Sequence, residues 1–191
     1  KRITLISVNG MHPDTIALFK DTLLAFKQGE SSTAAMQAMF PEGSFHSLAF
    51  AYPTVSNMAV SFFLSLGFEQ LYFVGIDLGF ADQEKHHSQA SGYYENGKQI
   101  YNYKGSHQTE LRAKGNKQAW VFTKTEFNIS RMIMEEAISE HKSECFNLSN
   151  GVFINKTIPL DKENILVLSS VENKQRTLGA LTNCFMTLSS D

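Results

Sequence analysis

The densest group of titratable side chains in the chain is formed by Asp82, Lys85, His86 and His87, with Asp77 a few residues before it. Histidine titrates near neutrality, so it suits moving a proton or touching a phosphate. Asp77 follows an apolar run and a Gly-Ile pair. A carboxylate there can hold a sugar hydroxyl, or simply accept backbone N–H groups and organise its own loop. Asp82, His86 and His87 offer metal-ligand atom types, but adjacent residues seldom ligate one ion together, so no metal is expected. Solvated loop histidines are the plain alternative.

Three other polar clusters carry side chains of the same kind: Asn9-Gly10, Tyr52 to Asn57, and Asn147 to Gly151. Thr54, Ser56 and Asn57 open a helical pattern. A helix start presents free N–H groups and a positive dipole end, both suited to an anion. Simple capping by Thr54 explains the same residues. No GxGxxG, GxxxxGK[ST], GxSxG, HExxH, CxxC or DxD motif is present, so no standard nucleotide or hydrolase signature decides the chemistry. Trp120 and Tyr93, Tyr94, Tyr101 and Tyr103 can stack on a sugar or base, and cross-strand pairing in hairpins accounts for them equally.

The elements that must position these clusters follow from hydrophobic pattern. Residues 3–8 read as a buried strand. Pro13-Asp14 opens a helical spacing of Ile16, Phe19, Leu23 and Phe26, closed by Gly29. A short helix capped by Ser31-Ser32 runs to Met39 and ends at Pro41 and Gly43. A strand follows over 45–51, a helix over 55–66 with Gly67 as its glycine cap, and a strand over 70–74. Strand and helix alternating at this pitch imply parallel pairing with right-handed crossovers. Residues 78–122 read as a hairpin-rich insertion, with Asn96-Gly97 as one turn and Lys114-Gly115-Asn116 breaking a second hairpin. Thr123 and Glu126 form a capping-box pattern for a helix reaching His141, with Phe127, Met134 and Ile138 inward. A strand over 144–148 follows. Residues 166–170 are strand or helix, and 171–188 a terminal helix. The fold class is α/β: a Rossmann-like, mostly parallel sheet with flanking helices. Residues 1–160 form the main domain and 161–191 a helical extension. In such a sheet ligands bind beyond the carboxyl ends of the strands, and all four polar clusters fall there.

Composition agrees. The chain has 191 residues, enough for one domain with a substantial core. Aromatic residues make up 12%, which excludes intrinsic disorder. A formal net charge of −2 argues against a nucleic-acid partner. No apolar stretch is long enough to span a membrane. Cys145 and Cys184 are too few for a disulfide framework or a zinc cluster; they read as buried thiols and incline the reading to a cytoplasmic setting.

Pro53 to Val60, Leu66 to Phe80 with its Gly-Ile-Asp-Leu, and Lys85-His86-His87 resemble the Maf-type motility accessory factors, bacterial proteins implicated in glycosylating flagellin. Val121-Phe122-Thr123 and Asn147 to Ile154 match in order and spacing, so the resemblance spans about residues 45–160. The Maf central domain is in turn similar to bacterial sialyltransferases. The resemblance implies transfer of a nonulosonic acid, of pseudaminic, legionaminic or sialic type, from its CMP conjugate to a Ser or Thr of flagellin, with no further cofactor. Strand-end position and resemblance together give a nucleotide- and substrate-facing set of Asn9, Thr54, Ser56, Asn57, Asp82, Lys85, Thr123, Asn147, Ser149, Asn150 and Gly151. The resemblance gives Asp77 and His87 catalytic roles, His87 handling the proton. Two features depart from the pattern. Phe122-Thr123 stands where the sialyltransferases carry a histidine, and a Gly-Pro-Ser-Leu segment is missing, so the domain is expected to be incomplete at its N-terminal side.

The same broad domain family includes an archaeal hydroxymethylpterin pyrophosphokinase. That implies a second reading: Mg²⁺-dependent diphosphate transfer, with Asp77 and Asp82 as paired carboxylates. A non-catalytic module binding flagellin or a sugar nucleotide is a third. On the transferase reading, His87→Ala is expected to lower turnover about 100-fold or more in a transfer assay. An unchanged rate would remove His87 from the mechanism.

Overall fold

The computed structural model describes residues 3–40, 46–81, 94–96, 98–100, 111–166, 175, 176 and 179. Strand β1, Thr4–Val8, pairs in parallel with β2, Asp21–Ala25, in register from Thr4↔Asp21 to Val8↔Ala25. The long helix expected over 13–29 is therefore corrected. Only α1, Pro13–Ile16, is helical there. The spacing of Ile16, Phe19, Leu23 and Phe26 fits a helix, but Leu23 and Ala25 also alternate as a strand does. Both pack on an apolar cluster with Ile6 and Val8 of β1. Tertiary burial overrides the local period.

Helix α2, Ser31–Met39, lies where expected, although Glu30 and not a serine holds the N-cap position. Its expected end at Pro41 and Gly43 lies outside the described residues. The strand expected over 45–51 shrinks, among the described residues, to one parallel bridge, Lys27↔Leu48. Leu48 N donates to Phe26 O at 2.7 Å and Leu48 O accepts from Gln28 N at 3.0 Å. Phe50, at φ 55°, then turns the chain out of the extended conformation.

Helix α3, Val55–Ser65, begins in a capping box made by Thr54 and Asn57 and ends at Gly67, whose φ of 75° suits a residue without a Cβ. It carries two apolar stripes. Val60 and Leu64 join one core cluster, and Met58 and Phe62 the other. Positions two apart on a helix point about 200° apart, so α3 is wedged between two hydrophobic layers.

Strand β3, Gln70–Phe73, follows. In the insertion, β4, Tyr94–Glu95, and β5, Lys98–Gln99, form the expected hairpin, with Asn96 at φ 51° in its turn. The second hairpin is β6, Leu111–Lys114, with β7, Trp120–Thr123. Thr123 is the last residue of β7 and caps no helix, which corrects the capping-box reading. Helix α4, Thr125–Ser139, has Lys124 at its N-cap, while the Thr123 hydroxyl donates to Leu78 O at 2.8 Å. Strands β8, Glu144–Asn147, and β9, Thr157–Pro159, complete a parallel sheet ordered β3-β8-β9. A 3-10 turn over Lys162–Asn164 follows. Of the strand or helix expected over 166–170 only Leu166 is described, and of the terminal helix expected over 171–188 only residues 175, 176 and 179, which are helical. Parallel sheets flanked by helices make this a Rossmann-like α/β fold.

The larger cluster unites α3, β3, α4 and β8 around Leu64, Met134, Ile138 and Cys145. Burial pushes the Cys145 thiol up from 9.0 to about 11. The folded state thus holds this proton more tightly than the unfolded chain. Its contribution is complete below about pH 9 and is lost as pH rises through about 11. Cys145→Ala is expected to flatten the alkaline fall in stability over that window, measured by urea unfolding at stepped pH. A slope identical to wild type would show that Cys145 does not carry it.

Candidate functional site

A parallel βα unit places the start of each helix at the carboxyl end of its strand. The starts of α3 and α4 and the loops after β3 and β8 thereby share one rim. The strand-end loops are locked backbone to backbone. Leu148 N donates to Phe73 O at 2.9 Å, and Val152 N to Asp77 O at 2.8 Å. Gly151 lies directly on Asp77, and a Cβ built there would overlap the Asp77 carbonyl. Glycine is required by this close approach. The Asp77 carboxylate stays exposed at the rim, just before Leu78, which is buried at φ 46°. Gly75, at φ 74°, makes the turn out of β3.

The α3 start is fixed by a buried polar knot with α4. Asn57 is 1% exposed and Ser130 0%. Asn57 Nδ2 donates to Ser130 O at 2.9 Å, while Asn57 Oδ1 accepts from Ser130 Oγ at 2.5 Å and from Thr54 Oγ1 at 2.7 Å. Thr54 Oγ1 also accepts from Asn57 N at 3.4 Å. Both side chains are thus engaged in holding the helix start. What the helix end still offers a ligand is the main-chain N–H of Val55 and Ser56, the orphan donors of a first turn, with the half-buried Ser56 side chain beside them.

Asn147, 0% exposed, accepts from Ser149 N through Oδ1 at 3.0 Å. Ser149 is also buried, and the Asn150 carbonyl accepts from Gln118 Nε2 at 3.2 Å. The structure therefore brings together Asp77, Asn147, Ser149, Asn150 and Gly151, with Thr123 bonded to the loop after Asp77. Thr54 and Asn57 are joined to α4 on the same rim. Asn9 is tied elsewhere: its amide donates to Ser32 Oγ at 2.7 Å and Glu30 Oε2 at 3.3 Å, and accepts from Lys27 N at 3.2 Å. It fastens β1 to the β2–α2 connection. Asp82, Lys85, His86 and His87 lie outside the described residues, as do Tyr93, Tyr101, Tyr103 and Cys184.

Sequence reasoning missed Ser130 and Asn116. Ser130 carried a signal, a polar residue on the inward face of α4 between Phe127 and Met134. Asn116 was legible only as part of a turn. Trp120 belongs to its hairpin. It pairs with Lys114, meets Phe122 edge-on at 5.0 Å, and has the Arg112 guanidinium 4.3 Å from its ring centre. Among the described residues no group of three His, Cys, Asp or Glu is placed to hold a metal ion, and no helix is long and apolar enough to cross a membrane. An open depression of about 250 Å³, lined by His141, Lys142 and Lys156 among others, lies at the far end of α4, away from the rim.

The architecture defines a class, the Rossmann-like α/β domains. Among solved structures, the Maf glycosyltransferase from Magnetospirillum magneticum AMB-1 is similar at 27% identity and a TM-score of 0.73, over 95% of this chain. The match bears out the resemblance seen in the sequence motifs. This chain spans 26% of that protein's length. No family profile and no curated protein matches the sequence.

Asn57→Ala strips a partner from two buried groups, Ser130 O and Oγ, and from the half-buried Thr54 hydroxyl. It is expected to destabilise the fold by about 2–4 kcal/mol, given 1–3 kcal/mol per unsatisfied buried group. Urea unfolding measures this, and a loss below about 1 kcal/mol would show that the knot contributes little.

Proposed function

We propose that the chain is part of a glycosyltransferase, and that it serves transfer of a nonulosonic acid from a CMP-sugar to a Ser or Thr hydroxyl of flagellin. The observation that carries this reading is the structural likeness to a Maf glycosyltransferase over nearly the whole chain.

In this reading the α3 start faces the donor phosphate. The Val55 and Ser56 amides and the helix dipole stabilise the negative charge that grows as CMP departs. The acceptor oxygen attacks the anomeric carbon, the bond from that carbon to the phosphate oxygen breaks, and CMP leaves with the electron pair. The acceptor hydroxyl loses its proton to a base, for which His87 is the candidate. Asp77, exposed beside the Asn147–Gly151 loop, shapes the donor pocket and holds sugar hydroxyls. No metal is assigned a step.

Calorimetric titration of the protein with CMP, with and without Mg²⁺, tests the reading. Binding of CMP without metal is expected. Binding only of a nucleoside triphosphate with Mg²⁺ would overturn it in favour of diphosphate transfer. No nucleotide binding at all would leave a module without donor chemistry.

A further inference from the structure

The turn joining β6 to β7 grips the 147–153 loop. Asn116 N donates to Gly151 O at 2.9 Å, Phe153 N to Lys114 O at 2.8 Å, and Gly115 bridges Val152. At the centre, the Asn116 amide group donates both protons to one loop: Nδ2 reaches Asn147 O at 2.9 Å and Ser149 O at 2.8 Å. A group giving two bonds to carbonyls can only be the nitrogen, so the orientation of the side chain is fixed. Its other atom, Oδ1, has no partner among the described residues, and neither have Asn147 Nδ2 and Ser149 Oγ. Asn116 is 9% exposed, and a buried polar atom without a partner is costly. The side chain is therefore held by its donor end alone.

We propose that Asn116 is the positioning residue of the candidate site. It clamps the Asn147–Ser149 turn, and that turn carries Gly151 and Val152 onto Asp77. The residue lies in a hairpin distant in sequence from both, and it acts on the rim through the loop. Its effect on ligand binding rests on the nucleotide-donor reading above; the clamp does not.

Two variants separate the ends of the amide. Asn116→Ala removes both donors. Asn116→Asp keeps the shape and Oδ1 but turns an acceptor toward two carbonyls. Burial beside those carbonyls raises the pKa of the new carboxyl, and once protonated it can donate one bond again. Amide hydrogen exchange in the whole protein reads the clamp directly. In both variants the Ser149 and Val152 amides are expected to exchange roughly 10-fold or more faster near pH 7, while Met134 and Cys145 in the core keep their protection, a factor of 10 corresponding to about 1.4 kcal/mol. Protection of Ser149, corrected for intrinsic exchange, is expected to recover in Asn116→Asp, and not in Asn116→Ala, as pH falls from about 7 toward 5. CMP affinity is expected to weaken roughly 10-fold or more in both at neutral pH. Unchanged exchange at Ser149 and Val152, uniform loss of protection across loop and core, or no acid recovery in Asn116→Asp would overturn the clamp. If wild type itself fails to bind CMP, the donor reading falls while exchange still decides the role of Asn116. If wild type binds CMP and both variants bind it equally well, the positioning role is overturned.

Discussion

The contact of Gly151 with the backbone of Asp77 is the constraint on which the rim depends. Strands β3 and β8 are neighbours in the sheet, but ladder hydrogen bonds end at Phe73 and Asn147. Beyond that point two loops would ordinarily diverge and move independently. Here they stay together because one residue has no side chain. The approach then permits the Val152 N–Asp77 O bond, which in turn fixes where the Asp77 carboxylate leaves the chain.

Helix α3 supplies the second support. Its two opposed apolar stripes set its axis between the two cores, and the knot of Asn57, Thr54 and Ser130 sets where its first turn begins. Burial supplies most of the stabilisation, but a hydrophobic face alone tolerates sliding along the helix axis. Directed hydrogen bonds to α4 do not. The division of labour is general: non-directional burial for affinity between elements, directional polar contacts for their register.

Much of this was legible from residue order. The chain read correctly at β1, α2, α3, β3, both hairpins, most of α4 and β8, because each has one dominant local signal. The glycine after α3, the Asn-Gly turn and the β-branched start of β1 are such signals. Residues 17–29 misled because their apolar spacing satisfies two periods, and the choice was made by pairing with β1 and burial against α3. Thr123 misled because the local pattern does not show that its backbone still belongs to the β7 ladder, paired with Leu111, so that Lys124 falls at the N-cap. At the candidate site, the placing of Asp77 and the Asn147–Gly151 loop together at one rim was legible from strand ends. Asn9 had the right position but its amide is used by Lys27, Glu30 and Ser32. Asn116 and Ser130 were invisible as partners, since their contacts join segments more than thirty and seventy residues apart, and no local pattern encodes such a distance.

The bonds that shape the rim run largely from main chain to main chain: Leu148 to Phe73, Val152 to Asp77, Asn116 to Gly151, Phe153 to Lys114. Such bonds use no side-chain atoms themselves, although glycine at 151 permits the approach and the Asn116 amide holds the turn. The shape of this end of the molecule is thus heritable apart from most of its sequence. Lineages can exchange the side chains displayed there, and with them the molecules recognised, without rebuilding the frame. The exposed positions beside Asp77 are thus where side chains can change without disturbing that frame.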